Sequence, residues 1–213
     1  MNNLLFFTCH KQFPCFEAWS TLLQKNNFLK TFDVITFNDT GVSEAREIAK
    51  ITENFPKKPL VLSTPNVGGY ILGLFKDLSI CYDYFVQYDY VFHIHPDVYI
   101  LNDSKLEFIC EKNKNDNNVF FTSLYTQGRD VYNTDFFIFK PKLLNKNIFL
   151  EAEEELNKLP NDKKYAEKTF YNLLHKHNIN ILNLERYPNN LIDGKNRDID
   201  QLNILHTHQK LVL

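Results

Sequence analysis

"YDYVFHIHPDVYI", Tyr88 to Ile100, is a run of aromatic and β-branched residues interrupted by His93, His95 and Asp97. The apolar part reads as a buried strand. Side chains alternate along a strand, so His93, His95 and Asp97 share one face and Phe92 and Ile94 the other, until Pro96 breaks the ladder. A lone strand histidine such as His93 is ordinarily a satisfied core residue. His95 and Asp97 differ, because they flank a proline where the apolar strand runs out. Imidazole and carboxylate placed together there point to a divalent metal or to phosphate.

Working outward, Asn3 to His10 and Phe32 to Asp39 are apolar runs that end in polar residues, and each precedes a stretch with helical spacing. Pro14 to Asn27 places Phe16, Trp19, Leu22 and Leu23 on one helical face, with Pro14 suited to the first turn. Ser43 to Phe55 turns Ala45, Ile48, Ala49 and Ile51 inward. After a short strand, Leu60 to Ser63, the residues Val67, Tyr70, Ile71, Leu74, Leu78, Cys81, Tyr82 and Phe85 predict a long helix sandwiched in the core. Beyond the quoted stretch come a helix near Leu106 to Glu111 and a turn at Asn113 to Asn118. Strands follow at Val119 to Tyr125 and Asp135 to Lys140, then helices at Glu151 to Leu159 and Tyr165 to His177. Ile179 to Leu184 reads as a strand and Leu202 to His208 as a last extended piece. Strands alternating with helices predict an α/β fold, its central sheet mainly parallel with helices on both faces and a mixed-strand edge. Ligands in such sheets gather outside the carboxyl ends of the strands, which is where His95 and Asp97 fall. There is no internal repeat and no linker, so the 213 residues are expected to form one domain.

Charge narrows the partners. The 24 basic and 26 acidic residues are scattered, unlike the basic footprint of a nucleic-acid binder. Cys9, Cys15, Cys81 and Cys110 form no CxxC pair, and the apolar run Leu4 to Phe7 is too short for a signal-peptide core, so a reduced cytoplasmic protein is expected. No apolar stretch reaches the roughly eighteen residues of a spanning helix, which limits membrane contact to the periphery.

"YDYVFHIHPDVYIL" resembles the strand-end metal motif of GT-A-type glycosyltransferases, Asp-x-Asp in that family, with His95 in place of the first aspartate and Asp97 as the second. "STPNVGGYILGLFKDL" is similar to the helix that borders the donor diphosphate. "VYNTDFFIFKPKLL" is similar to the Asn-containing strand before a Lys-Pro turn, and "YAEKTFYNLLHKHNINIL" to the helix and strand that follow. "LHTHQ", Leu205 to Gln209, resembles the C-terminal histidine segment that completes the metal shell. These fragments run in order through nearly the whole chain. The resemblance implies one GT-A-like domain, with nucleotide-binding residues in about 1–101 and acceptor residues in about 102–213. It implies a nucleotide-sugar donor, UDP-sugar favoured, and a glycan or other hydroxyl acceptor. His95, Asp97, His206 and His208 are the implied metal residues. Thr8, Asp39, Asn66, Gly68 and Gly69 are the implied donor contacts.

A divalent cation neutralises the charge that builds on a departing diphosphate, and a carboxylate-imidazole set suits manganese better than magnesium. Gly68 and Gly69 allow close backbone approach at a helix start that favours phosphate. A transfer also needs a carboxylate near the anomeric carbon in the inverting case. Asp135, conspicuous in an aromatic strand, and Glu167 are the candidates. Two other enzyme classes compete, a nucleotidyltransferase and a metal-dependent hydrolase using the HxHxD stretch. The aromatic content of 15% also suits a non-catalytic carbohydrate-binding protein.

Overall fold

The computed structural model describes residues 1–10, 13–38, 42–64, 70–125, 131–160, 163–184, 202–207 and 211. The first half alternates β1 (Asn3–Cys9), α1 (Phe16–Lys25), β2 (Asp33–Asn38), α2 (Val42–Ile51), β3 (Leu60–Ser63), α3 (Tyr70–Phe85) and β4 (Tyr90–Ile94). Then come β5 (Val98–Ile100), α4 (Ser104–Lys112), β6 (Phe120–Thr122), β7 (Leu124–Tyr125), β8 (Val131–Tyr132) and β9 (Phe136–Phe139). The chain continues through α5 (Asn147–Lys158), α6 (Ala166–Lys176), β10 (Ile181–Asn183) and β11 (Ile204–His206).

Among the described residues, seven strands form one sheet in the order β10-β6-β9-β4-β1-β2-β3. All are parallel except β9, which runs antiparallel to β4 and β6. Strand β9 enters between β4 and β6, so the later strands β9, β6 and β10 form the mixed edge of a sheet that is otherwise parallel. Alternate side chains feed two cores, as a sheet covered on both faces requires. Leu5, Phe7, Phe92, Ile94, Phe136 and Ile138 pack with α1 and α2, whereas Leu4, Phe6, Val91, Phe137 and Phe139 pack with α3, α5 and α6. Phenylalanine rings dominate both; Phe92 meets Phe32 edge-on at 5.0 Å, and each such buried side chain contributes roughly 1.5–3 kcal/mol.

Three expectations from sequence are corrected. Helix α3 is not sandwiched: Leu74, Phe75, Leu78, Cys81, Tyr82 and Phe85 are buried, but Ile80 is 52% and Tyr84 43% exposed. The strand over Tyr88 to Ile100 is two strands in different sheets, since Val98 N–H closes a turn onto His95 O at 3.0 Å and β5 pairs antiparallel with β11. The strand over Val119 to Tyr125 likewise divides, with β6 in the main sheet and β7 pairing with β8. Successive strands from β1 lead outward to β3, and the chain then returns to place β4 on the other side of β1. That reversal makes the region beyond the carboxyl ends of β1 and β4 the topological switch point, where such sheets bind ligands. The turn after β4 stands in it.

Candidate active site

The site is assembled by strand register. Ile94 pairs with Phe136 in the antiparallel β4-β9 ladder, so the next pair out is His95 with Asp135, and His95 N–H donates to Asp135 O at 2.9 Å. Their side chains meet as a cross-strand pair, His95 Nδ1 lying 3.3 Å from Asp135 Oδ1. An Asx turn fixes Asp135: Asn133 Oδ1 accepts its N–H at 2.7 Å and that of Phe136 at 3.2 Å. From the other side, the β5-β11 register sets His206 opposite Val98, and Thr207 N–H donates to Asp97 O at 3.2 Å. His206 then lies between two carboxylates, with Nε2 3.7 Å from Asp97 Oδ2 and Nδ1 3.7 Å from Asp135 Oδ2. The result is a largely buried chain of alternating acid and imidazole, Asp97-His206-Asp135-His95, of which Asp97 is only 4% exposed.

Glu167, in the first turn of α6, joins from the later half of the chain. Its carboxyl is raised above the usual range, first by burial and then by the nearby charge of Asp135, with a hydrogen bond from Thr134 opposing. Asp135 and Glu167 thus share one neighbourhood, as a pair of acids in different environments. A carboxyl raised in this way suits proton transfer.

His93 takes the ordinary role. Its Nε2 is 2.8 Å from Thr8 Oγ1, its ring stacks on Phe137 with centroids 4.5 Å apart, and burial holds the imidazole well below its usual range, His95 adding to this. Thr8 accordingly directs its hydroxyl at His93 inside the sheet. His95 keeps to the side of His93, the two rings lying 5.4 Å apart, whereas Asp97 lies within the turn that Val98 N–H closes onto His95 O. Asp39, Asn66, Gly68, Gly69 and His208 lie outside the described residues.

Asp97 and His206 are the pair with the chemistry for a cation: one carboxylate, one imidazole, and Asp135 at the second ring nitrogen, where metal-binding histidines carry an orienting carboxylate. Among the described residues no group of three or more His, Cys, Asp or Glu side chains is arranged to hold a metal ion. The pair therefore fits a cation as part of a shell, the rest of which falls to ligand oxygens or to residues beyond those described. His95 meets Asp135 through Nδ1 at 3.3 Å. Reading by sequence overlooked Asn133 and Thr134, although an Asx residue two positions before a strand carboxylate is a legible turn signal.

No protein-family model matches the sequence, and no curated protein matches it. Solved structures do match. GlyE of Streptococcus pneumoniae TIGR4, a glycosyltransferase, is 13% identical with a TM-score of 0.56, the match covering 85% of this chain and 45% of that one. The galactosyltransferase LgtC in complex with donor and acceptor sugar analogs is 12% identical with a TM-score of 0.56, over 84% of this chain and 73% of that one. The mannosyltransferase PcManGT of Pyrobaculum calidifontis, in complex with GDP-Man and Mn2+, is 11% identical with a TM-score of 0.56, over 86% and 54%. This chain has the fold of the GT-A-type glycosyltransferases. It spans less than half the length of GlyE, and 39% of the bifunctional glycosyltransferase WbbM.

Proposed function

We propose that the protein is a glycosyltransferase that moves a sugar from a nucleotide-diphosphate donor, UDP-sugar favoured, to a hydroxyl acceptor with the help of a divalent cation. The observation that carries this is the buried acid-imidazole chain at the carboxyl end of β4 in a GT-A-type fold. His95-Pro96-Asp97 stands as an HxD variant of the strand-end Asp-x-Asp. A bound cation, manganese rather than magnesium on a set containing imidazole, supplies positive charge against the diphosphate.

Asp97 and His206 hold that cation. Asp135 lies 3.3 Å from His95 Nδ1 and 3.7 Å from His206 Nδ1, and its charge on that side of the His206 ring favours the orientation that aims the other nitrogen at Asp97. Glu167, raised by burial and by Asp135, takes the proton of an acceptor hydroxyl, since a carboxylate lifted toward neutral is the better base. A metal-dependent hydrolase built on HxHxD would need His93 as a ligand. That ring is wholly buried, bonded to Thr8 and stacked on Phe137. No helix among the described residues is long and apolar enough to cross a membrane.

The test is a thermal-shift panel of nucleoside diphosphates in manganese, magnesium or EDTA. A ligand that binds only the folded state raises its apparent stability with the logarithm of concentration over affinity. UDP is expected to give the largest shift, larger in manganese than in EDTA. Equal shifts for every nucleotide, or none, count against the reading.

A further inference from the structure

Strand β5 carries the far end of the site turn but lies outside the seven-stranded sheet, and β11 pairs with it along one edge. Helix α1 and the residues after it support the other side. Trp19 Nε1 donates to Pro96 O at 3.0 Å, Asn26 Nδ2 donates to Ile100 O at 2.9 Å, and Asp103 Oδ2 accepts the N–H groups of Phe28 and Leu29 at 2.8 Å each. Trp19 is the single tryptophan of the chain and is wholly buried, its ring 5.0 Å from that of Phe7 and 6.1 Å from that of Tyr99. The Tyr99 hydroxyl accepts the N–H of Leu211 at 3.1 Å, which ties down the chain beyond His206.

The acceptor chosen by Trp19 matters. Pro96 has no N–H, so its carbonyl is the one backbone group it can anchor. The peptide joining Pro96 to Asp97 is planar, so holding the Pro96 oxygen fixes the plane from which the Asp97 side chain departs. A buried indole N–H needs an acceptor, and the one that Trp19 takes lies within the link between His95 and Asp97.

Building on the glycosyltransferase reading, we infer that Trp19 and Tyr99 are positioning residues for the cation pair. Trp19 orients Asp97 through the Pro96 carbonyl, and Tyr99 seats the segment that carries His206. Neither touches a reactant.

Because Trp19 is the only tryptophan, supplying a tryptophan auxotroph with 3-benzothienylalanine replaces this one ring by an isostere with sulfur in place of N–H. UDP affinity in manganese is then measured by calorimetry, and thermal stability with and without the ligand. The isostere is expected to weaken UDP binding in manganese at least about tenfold, the usual effect of losing an outer support of a metal ligand. Tyr99→Phe, which keeps the ring and loses the hydroxyl, is expected to weaken it in the same direction. A purely structural role lowers stability equally with and without ligand and leaves the affinity unchanged; that result for the isostere, or for Tyr99→Phe if the isostere does not fold, overturns the inference alone. A wild-type protein that binds no nucleoside diphosphate overturns the glycosyltransferase reading and this inference with it.

Discussion

Asp135→Asn probes how the site is joined. Asp135 lies 3.3 Å from His95 Nδ1 and 3.7 Å from His206 Nδ1. Asparagine keeps the shape and one acceptor, but sets an amide donor where the second carboxylate oxygen stood. A hydrogen bond to an ionised partner is worth roughly 1.5–3 kcal/mol and one between neutral groups roughly 0.5–1.5 kcal/mol, so the closer contact loses about 1 kcal/mol. The 3.7 Å contact exceeds a direct hydrogen bond and adds less. The Asp135 side chain is 24% exposed, which screens part of the loss. The sum is about 1–2 kcal/mol, or roughly 5–30-fold. Donor affinity by calorimetry and turnover with UDP-sugar are the assays. Placed on the acceptor half alone, as its late strand suggests, Asp135 would leave donor binding intact. Contact with both imidazoles instead predicts that affinity and turnover fall together. Wild-type donor affinity, whether or not turnover falls, would refute the reasoning, and an unfolded variant would assign Asp135 to the fold.

Glu167→Gln should separate stability from activity. The raised carboxyl binds its proton more tightly in the folded than in the unfolded chain, so the wild type loses stability as pH rises from the unfolded value through the folded one. The variant, with nothing to ionise there, should match the wild type in acid, exceed it in stability above that window and lose transfer. Denaturation midpoints from pH 4 to 8 that stay parallel would contradict this. Lys140→Met tests the support of the turn at 113–118: the buried ammonium donates to Asn113 O, Asp116 O and Asp116 Oδ1 beside the Tyr90 and Phe121 rings. Leaving those acceptors unmet should destabilise by about 2 kcal/mol, reduced from the fully buried case because Asp116 is partly exposed, and urea midpoints read it directly.

Periodicity made the first hundred residues legible, because β1, α1, β2, α2 and β3 each match the apolar pattern to within a few residues. The break at Pro96 was legible too, as the residue that cannot extend a ladder. What followed from it was not. Residues 98–100 are as apolar as residues 90–94, and composition does not say that they pair with 204–206 in a separate sheet. The insertion of β9 between β4 and β6 is a matter of pairing, which no local pattern encodes. Asp135 stood out as a carboxylate among phenylalanines, yet its partner His95 depends on the β4-β9 register. Trp19 read as one more core residue, since spacing reveals its buried face but not the carbonyl its N–H reaches.

The central claim is that Asp97, with His206, holds the cation that binds a nucleoside diphosphate. Calorimetric titration of UDP into the wild type and Asp97→Asn, each in manganese and in EDTA, measures it. Asparagine keeps the shape of a side chain that is 4% exposed while removing the charge that balances the cation. The wild type should bind in manganese and weakly in EDTA, and the variant should lose at least about tenfold, or roughly 1.4 kcal/mol, in manganese alone. Full manganese-dependent affinity in Asp97→Asn would contradict the account.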